Sequence, residues 1–464
     1  MPVVGDDRSP EEPVAVAPPA LPGSSRRRIA YLAGALAGGN GIAMLLRIVG
    51  GVLQARIVPV RVLGLFGSFG LVTGYLRFLQ LGVLNGMNRE LPYFIGRGET
   101  ARVHDLAASA KAWAFCCGTF VASALSGLAL WYLAHGDYQM AAGWAANALT
   151  AFLYFYADMY LQMTYRTSSD FVRLAGINVA VNILAVVLIV PVIWLGFFGL
   201  CMRAVAIALA GLWLLRMWQP IRVRAKLKVQ QVKHLLFVGF PMFFVGEMGN
   251  WWRLLEGTLV FLKLGTVGMG LYQMMLYVDA ATDLFPTAIG QVYFPRMVEH
   301  YGRHHDVRAL FRMSHKPSLA CFAVMLPIVV AGWFLAYPLA RLIAPAYIGA
   351  IEAARWGLLG SIVYSFTMVH MIFNIVRRQE LYCIVIGLSI AAYFVALKYL
   401  LHDGTTLVAV VQAIFLGGTQ CLSPELVPTA LVAFVQAMIL GRVVFVVSGY
   451  LGVLYILGGA KAQL

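Results

Sequence analysis

The sequence predicts an all-α, polytopic membrane protein with about twelve transmembrane helices in two six-helix bundles. Of its 464 residues, 61% are hydrophobic and only 12% are charged, whereas soluble domains carry about 25% charged residues. The apolar runs continue for roughly 20 residues, the length that crosses a bilayer as a helix. They lack the alternation of polar and apolar residues that marks membrane β-strands. This composition excludes a soluble globular protein and a membrane β-barrel.

The first 25 residues are rich in proline and alanine and lack hydrophobic periodicity, which is typical of a disordered tail. Three arginines at 26–28 then precede the first apolar run. We expect spans at about 30–55, 62–84, 110–133, 142–165, 173–193, 196–216, 235–262, 267–292, 317–343, 356–376, 381–401 and 429–457. The expected organisation is a cytoplasmic tail (1–28), an N-terminal six-helix bundle (29–216), a basic cytoplasmic linker (217–234), a C-terminal six-helix bundle (235–458) and a short tail (459–464).

The basic residues indicate the orientation of the spans. There are 35 lysines and arginines against 20 acidic residues, a net charge of +15. With a cytoplasmic N-terminus, 23 basic residues fall in inside segments and 6 in outside segments, as the positive-inside rule requires. We therefore expect a membrane protein with both termini in the cytoplasm. Contact with anionic membrane lipids is an alternative use of the charge, while nucleic-acid binding is excluded because no soluble domain remains.

One segment fits the expected arrangement of spans and loops less well. Residues 402–428 begin apolar and are then interrupted by Pro424 and Pro428. A loop is preferred to a re-entrant segment or an extra span, because an extra span would move Lys461 outside.

Two short matches at one shift of 206 residues indicate an internal repeat. Gly64-Leu65-Phe66 aligns with Gly270-Leu271-Tyr272, and the dipeptide at 96–97 aligns with the one at 302–303. Each half then contains six spans, so the halves are parallel repeats related by an axis along the membrane normal. Such repeats are typical of transporters, which bind substrate between the halves.

Several arginines and polar residues lie within spans, where ionisable groups usually face a cavity or the bundle interior. Asn40, Arg47 and Gln54 recur every seven residues on the first helix and form one polar stripe. Arg77 lies on the second helix and Arg253 on the seventh. Arginine suits bidentate phosphate contact and stays charged when buried. These five residues are the candidates for contact with a phosphate or sugar group.

Four acidic residues share the same region of the predicted bundle. Glu247 and Glu256 lie on the seventh helix, with Glu256 three residues after Arg253. Asp279 and Asp283 lie one turn apart on the eighth helix and repel each other if both are ionised. One of them therefore holds a proton or pairs with Arg253. The four acids are candidates for ion coupling or for neutralising the cavity.

A structural role is the alternative for each intramembrane charge, as an interhelical ion pair or as a side chain that snorkels to the headgroups. We assign Arg203 and Arg442 to this structural class. Neither catalysis nor a cofactor is predicted, because no Walker A sequence is present and the outer loops are short. The six cysteines lack the spacing of metal ligands, so no metal site is predicted.

Four stretches resemble the motifs of a known family: 54–67 (QARIVPVRVLGLFG), 81–92 (LGVLNGMNRELP), 265–272 (GTVGMGLY) and 337–347 (YPLARLIAPAY). They resemble the Wzx-type polysaccharide flippases of the multidrug/oligosaccharidyl-lipid/polysaccharide (MOP) exporter superfamily. This resemblance implies two bundles in a V around a cationic cavity. It also implies that alternating access flips an undecaprenyl-pyrophosphate-linked oligosaccharide to the outer leaflet of the bacterial inner membrane.

The expected partners are this lipid-linked oligosaccharide, membrane lipids and the polymerase and chain-length regulator of a surface-polysaccharide pathway. Two other functions stay open. A cation-coupled multidrug exporter on the same scaffold would use the buried acids and would not need the arginines. A membrane-embedded polymerase or ligase would need an essential acid or histidine in an outer loop, such as Asp137 or His402.

Overall fold

The fold was determined as a computed structural model, which describes residues 26–168, 170–376, 378–401 and 426–461. Within these residues the secondary structure is helical and contains no strand, which confirms the predicted fold class. The predicted tail at 1–25 and most of the uncertain segment at 402–428 lie outside the described residues.

The N-terminal half contains six spans, two of which are broken helices. A 3-10 turn at Arg77–Gln80 joins α2 to α3, and the chain bends there because Leu81 and Gly82 both have positive φ. A π-helix at Tyr154–Leu161 joins α5 to α6. The helices are α1 (Arg26–Ile57), α2 (Val60–Leu76), α3 (Val83–Gly96), α4 (Thr100–Ala134), α5 (Tyr138–Leu153), α6 (Gln162–Thr167), α7 (Phe171–Val187) and α8 (Val192–Met217).

The C-terminal half also contains six spans. Its first two lie in α9, which reverses at Gly265 because this residue has non-helical angles (φ 65°, ψ −160°). A 3-10 stretch at Ser365–His370 joins α11 to α12 as one span. The helices are α9 (Val229–His304), α10 (Val307–Ile343), α11 (Ile351–Tyr364), α12 (Met371–Ile375), α13 (Gln379–Leu401) and α14 (Val427–Lys461).

The outer surface of the helices is apolar, as expected of a protein that lies in a lipid bilayer. Eight helical stretches in the described residues are long and apolar enough to cross a membrane, and α7 is a shorter apolar helix. Large apolar side chains such as Phe120, Trp194 and Phe334 point outward from both halves. The exposed apolar surface is therefore the face that a bilayer would cover.

The two halves meet where α2 packs on the second limb of α9. A Cβ atom on Gly64 would lie 1.7 Å from the Thr266 carbonyl oxygen, and one on Gly270 would lie 2.0 Å from the Val60 carbonyl oxygen. Only glycine permits backbones to approach this closely. Gly64 and Gly270 are the residues that the shift of 206 aligns, so the internal repeat marks the contact between the halves.

Candidate functional site

A cavity of about 260 Å³ lies inside the C-terminal half, between α9, α11, α12, α13 and α14. Its wall combines aromatic rings, apolar side chains, two arginines, one glutamate and one histidine. The lining residues are Trp252, Arg253, Glu256, Tyr364, Thr367, His370, Met371, Tyr382, Ile386, Met438, Arg442 and Phe445.

Two ion pairs hold the arginines of this wall. The Arg253 guanidinium donates to the Asp283 carboxylate at 2.5 Å, and the Arg442 guanidinium donates to the Asp279 carboxylate at 2.7 Å. The second pair is the more enclosed, with side-chain exposures of 15% for Arg442 and 12% for Asp279. Arg442 also lies 5.7 Å from the centre of the Tyr364 ring. Both guanidiniums are therefore neutralised within the protein.

Glu256 differs from the other two acids of the cluster. It is 3% exposed, and its Oε1 atom has no hydrogen-bond partner among the described residues. The Tyr272 hydroxyl donates to the same carboxyl group. Although Glu256 lies three residues after Arg253, that guanidinium reaches Asp283 instead. The cluster thus holds three carboxyl groups against two guanidiniums, and Glu256 is the one without a counter-charge of its own.

The reversal of α9 brings these groups to one depth in the membrane. Arg253 lies twelve residues before Gly265 and Asp279 lies fourteen residues after it. At 1.5 Å per residue, both lie about 18–21 Å from the turn on antiparallel limbs. The reversal therefore brings Arg253, Glu256, Asp279 and Asp283 close together, whereas Glu247, which the sequence analysis grouped with these acids, pairs with Arg77 instead.

Arg77 and Glu247 form a separate group between the two halves. The Arg77 guanidinium, at the break between α2 and α3, donates to Glu247 of α9 at 3.0 Å. The second carboxylate oxygen of Glu247 accepts a hydrogen bond from the Asn250 amide at 2.8 Å. The Arg77 Nε atom is buried and has no partner in the described part of the chain. This ion pair therefore ties the N-terminal half to α9.

The polar stripe on α1 does not form one patch. Arg47 is exposed and donates to the Asn182 side chain of α7 at 3.2 Å, and no described carboxylate lies within 4.0 Å of it. Gln54 is buried and accepts a hydrogen bond from Arg203 of α8 at 2.9 Å. The Asn40 side chain lies outside the described residues. Arg47, Arg77 and Arg253 therefore lie in three separate groups, and the expected single cationic cavity is not assembled in this structure.

Arg442 lines the cavity and forms an interhelical ion pair, one of the two structural roles that the sequence analysis gave it. It is the sixteenth of the 35 residues of α14, so it lies about 22 Å from the nearer end of the helix. An arginine side chain is too short to snorkel over that distance. The central position of Arg442 in the helix therefore indicates an ion pair inside the bundle. In the part of the chain that the structure describes, no three histidine, cysteine, aspartate or glutamate side chains converge as metal ligands would.

By sequence, no protein-family model and no curated protein matches the chain. Solved structures do match. An inward-facing multidrug resistance MATE-family transporter of the MOP superfamily superposes with a TM-score of 0.72 at 15% identity, over 90% of this chain and 96% of the other. An outward-facing transporter of the same description gives a TM-score of 0.59 at 15% identity, over 94% and 96%.

A third match is a MOP-superfamily transporter from Pyrococcus furiosus, described by the reverse polarity of its binding pocket. It gives a TM-score of 0.57 at 15% identity, over 93% of this chain and 96% of the other. At this identity the matches establish architecture, and the chain has the fold of the MATE-family transporters of the MOP superfamily.

Proposed function

We propose that this protein is a cation-coupled exporter of amphipathic organic cations. The observation that carries the proposal is Glu256, a buried carboxyl group without a counter-charge in an aromatic-lined cavity. A buried carboxylate without a salt bridge is costly, so the site favours binding of a cation or a proton.

The walls of the cavity suit an organic cation better than an inorganic one. Trp252, Tyr364 and Phe445 line the same cavity as Glu256, and a cation over an aromatic face gains roughly 0.5–2 kcal/mol. The cavity volume of about 260 Å³ is near the lower end for a small-molecule site. An organic cation and a coupling ion would compete for Glu256, and this competition would couple their movements in opposite directions.

The structural matches support the same proposal, because two of them are described as multidrug resistance transporters. We place the protein in the bacterial inner membrane with both termini in the cytoplasm, and we assign no enzymatic activity to it. With this orientation, transport is export when the cavity binds its solute from the cytoplasmic side.

Efflux of ethidium from energised cells that lack their own drug exporters tests the proposal. The wild-type protein should lower ethidium accumulation relative to an empty vector. Glu256→Gln keeps the shape of the side chain and removes its charge, so it should reduce the efflux rate by roughly tenfold, which corresponds to about 1.4 kcal/mol.

Glu352→Gln is the matched control. This glutamate is exposed at the start of α11 and pairs only with Arg355, so the substitution should leave efflux unchanged. Absence of ethidium efflux by the wild-type protein would reject the proposal, as would full efflux by Glu256→Gln.

A second candidate, a flippase for undecaprenyl-pyrophosphate-linked oligosaccharide, is favoured by Arg47. This guanidinium is exposed within a span and forms no salt bridge with a described carboxylate, so it could receive a phosphate group. The family motifs at 54–67 and 81–92 support this candidate too. A polymerase and a chain-length regulator would be its partners.

Proteoliposomes that contain labelled lipid-linked oligosaccharide separate the two candidates. Translocation that falls with Arg47→Gln and persists with Glu256→Gln would favour the flippase. Arg253 is a poor test of phosphate binding, because its removal would leave the Asp283 carboxylate unpaired.

A further inference from the structure

We propose that the segment joining the two halves binds acidic phospholipid headgroups of the membrane. Residues 218–228 run from the end of α8 to the start of α9. They carry four cations, and we call the first three, Arg222, Arg224 and Lys226, the cationic row. The row lies outside the cavity, so its role is independent of the transported solute.

The backbone of the segment is fixed on helix α4. The Lys226 amide donates to the Ala108 carbonyl at 3.2 Å, and the Ser109 hydroxyl donates to the Lys226 carbonyl at 3.3 Å. Further along, the Lys111 ammonium donates to the Val223 carbonyl at 2.7 Å. These contacts hold the segment along one helix, so its side chains point in defined directions.

From Ile221 to Arg224 the side chains alternate between the protein and the surface, and Ala225, Lys226 and Leu227 are all exposed. Ile221 is buried in the core of the N-terminal half and Val223 packs against that core, whereas Arg222 and Arg224 are exposed. Lys226 continues the exposed series. In an extended chain, alternate residues share one face and lie roughly 7 Å apart. The three cations therefore form a row on the outer face.

The cationic row is not neutralised by the described residues. The neighbouring Lys228 forms an ion pair with Asp105 at 2.6 Å. In the described ranges, no carboxylate oxygen lies within 4.0 Å of Arg222, Arg224 or Lys226. Three fixed positive charges without counter-charges favour a multivalent anionic surface.

Exposed apolar side chains flank the cationic row and indicate its depth relative to the membrane. Trp213 and Trp218 precede it, and Leu227 and Val229 follow it. Phe237, two turns into α9, is 84% exposed. Tryptophan is enriched where headgroups meet hydrocarbon. A soluble acidic partner would leave these apolar groups in water, whereas a lipid leaflet accommodates both the apolar groups and the cations.

Native mass spectrometry of the purified protein in a nonionic detergent tests this assignment. The wild-type protein should retain added phosphatidylglycerol in preference to phosphatidylcholine. Attraction of about 1 kcal/mol per cation predicts that R222Q/R224Q/K226Q weakens phosphatidylglycerol binding on the order of 100-fold. If the triple variant does not fold, Arg224→Gln alone should weaken binding by about fivefold.

The control triple R303Q/R308Q/R312Q removes the same charge from exposed arginines at the turn between α9 and α10. It should retain phosphatidylglycerol, because these arginines already have acidic neighbours: Arg303 pairs with Glu299, and Asp306 interacts with Arg308 and Arg312. Equal losses in both triples would overturn the proposal in favour of a general charge effect. Undiminished binding in the first triple would overturn it as well, as would displacement of the lipid by an equal concentration of inorganic phosphate.

Discussion

Arg442 and Asp279 are buried together in the middle of the bundle, and each is the only described salt-bridge partner of the other. Removing one charge of a buried pair leaves the other uncompensated, which costs about 3–5 kcal/mol. Replacing both by apolar residues removes that cost. The contribution of this ion pair to stability can therefore be measured by thermal unfolding, without a transport assay.

We predict that Arg442→Met lowers the thermal unfolding midpoint strongly, because it leaves the Asp279 carboxylate unpaired. Adding Asp279→Leu should restore most of the loss. Arg253→Met is the control, since Arg253 is 52% exposed and its pair with Asp283 is partly solvated. Differential scanning fluorimetry in detergent measures all three variants. A double variant as unstable as Arg442→Met would contradict this account.

The backbones of helices α2 and α9 come into close contact at Gly64 and Gly270, where neither residue has a side chain. A methyl group at either position would overlap a backbone carbonyl oxygen of the facing helix. The two helices would have to separate, because a backbone atom cannot move aside as a side chain can. This contact fixes the distance between the halves at this end of the molecule.

Gly64→Ala should therefore destabilise the protein by about 1–3 kcal/mol, as overpacking does. Gly70→Ala, on the same helix, meets no atom within 4 Å, so it should stabilise α2 by roughly 0.5–1 kcal/mol. Thermal unfolding of the two variants measures the difference. Equal midpoints would show that the halves do not meet at Gly64.

Helix α5 begins at a capped end. The Asp137 carboxylate accepts a hydrogen bond from the Met140 amide at 3.0 Å, which is the geometry of an N-cap. The sequence analysis named Asp137 as the acid that a polymerase or ligase would need. Its position at the helix terminus accounts for an acidic residue there without catalysis.

Asp137→Ala should cost about 1 kcal/mol of stability, whereas Asp137→Asn should cost little because asparagine caps helices equally well. Transport should be unchanged in both variants. An activity that Asp137→Asn abolishes without loss of stability would instead indicate a chemical role for the carboxylate.

The molecule as a whole follows the sequence closely in its helices and less closely in its site. Twelve spans were predictable because each is a long apolar run. Asp279 and Asp283 were predictable as neighbours because they lie one turn apart on one limb of α9, whereas Glu247 lies outside their cluster. Spacing along one helix does not specify which neighbouring helix receives a side chain. Arg47 and Gln54 share a stripe on α1 and yet reach α7 and α8, respectively.

The partner of Arg442 could not be predicted from the sequence. Its partner Asp279 lies 163 residues away in the chain, and no local pattern connects the two. Only the fold, by packing α14 beside α9, brings the pair together. The same packing encloses the cavity and leaves Glu256 as its carboxyl group without a counter-charge.

The most direct measurement of the central claim is the binding of tetraphenylphosphonium to the purified protein by isothermal titration calorimetry. Glu256→Gln should raise the Kd by at least about tenfold, because it removes the charge that attracts the cation. Glu352→Gln should leave the Kd unchanged. An unaltered Kd in Glu256→Gln, or no binding to the wild-type protein, would contradict a cation site in this cavity.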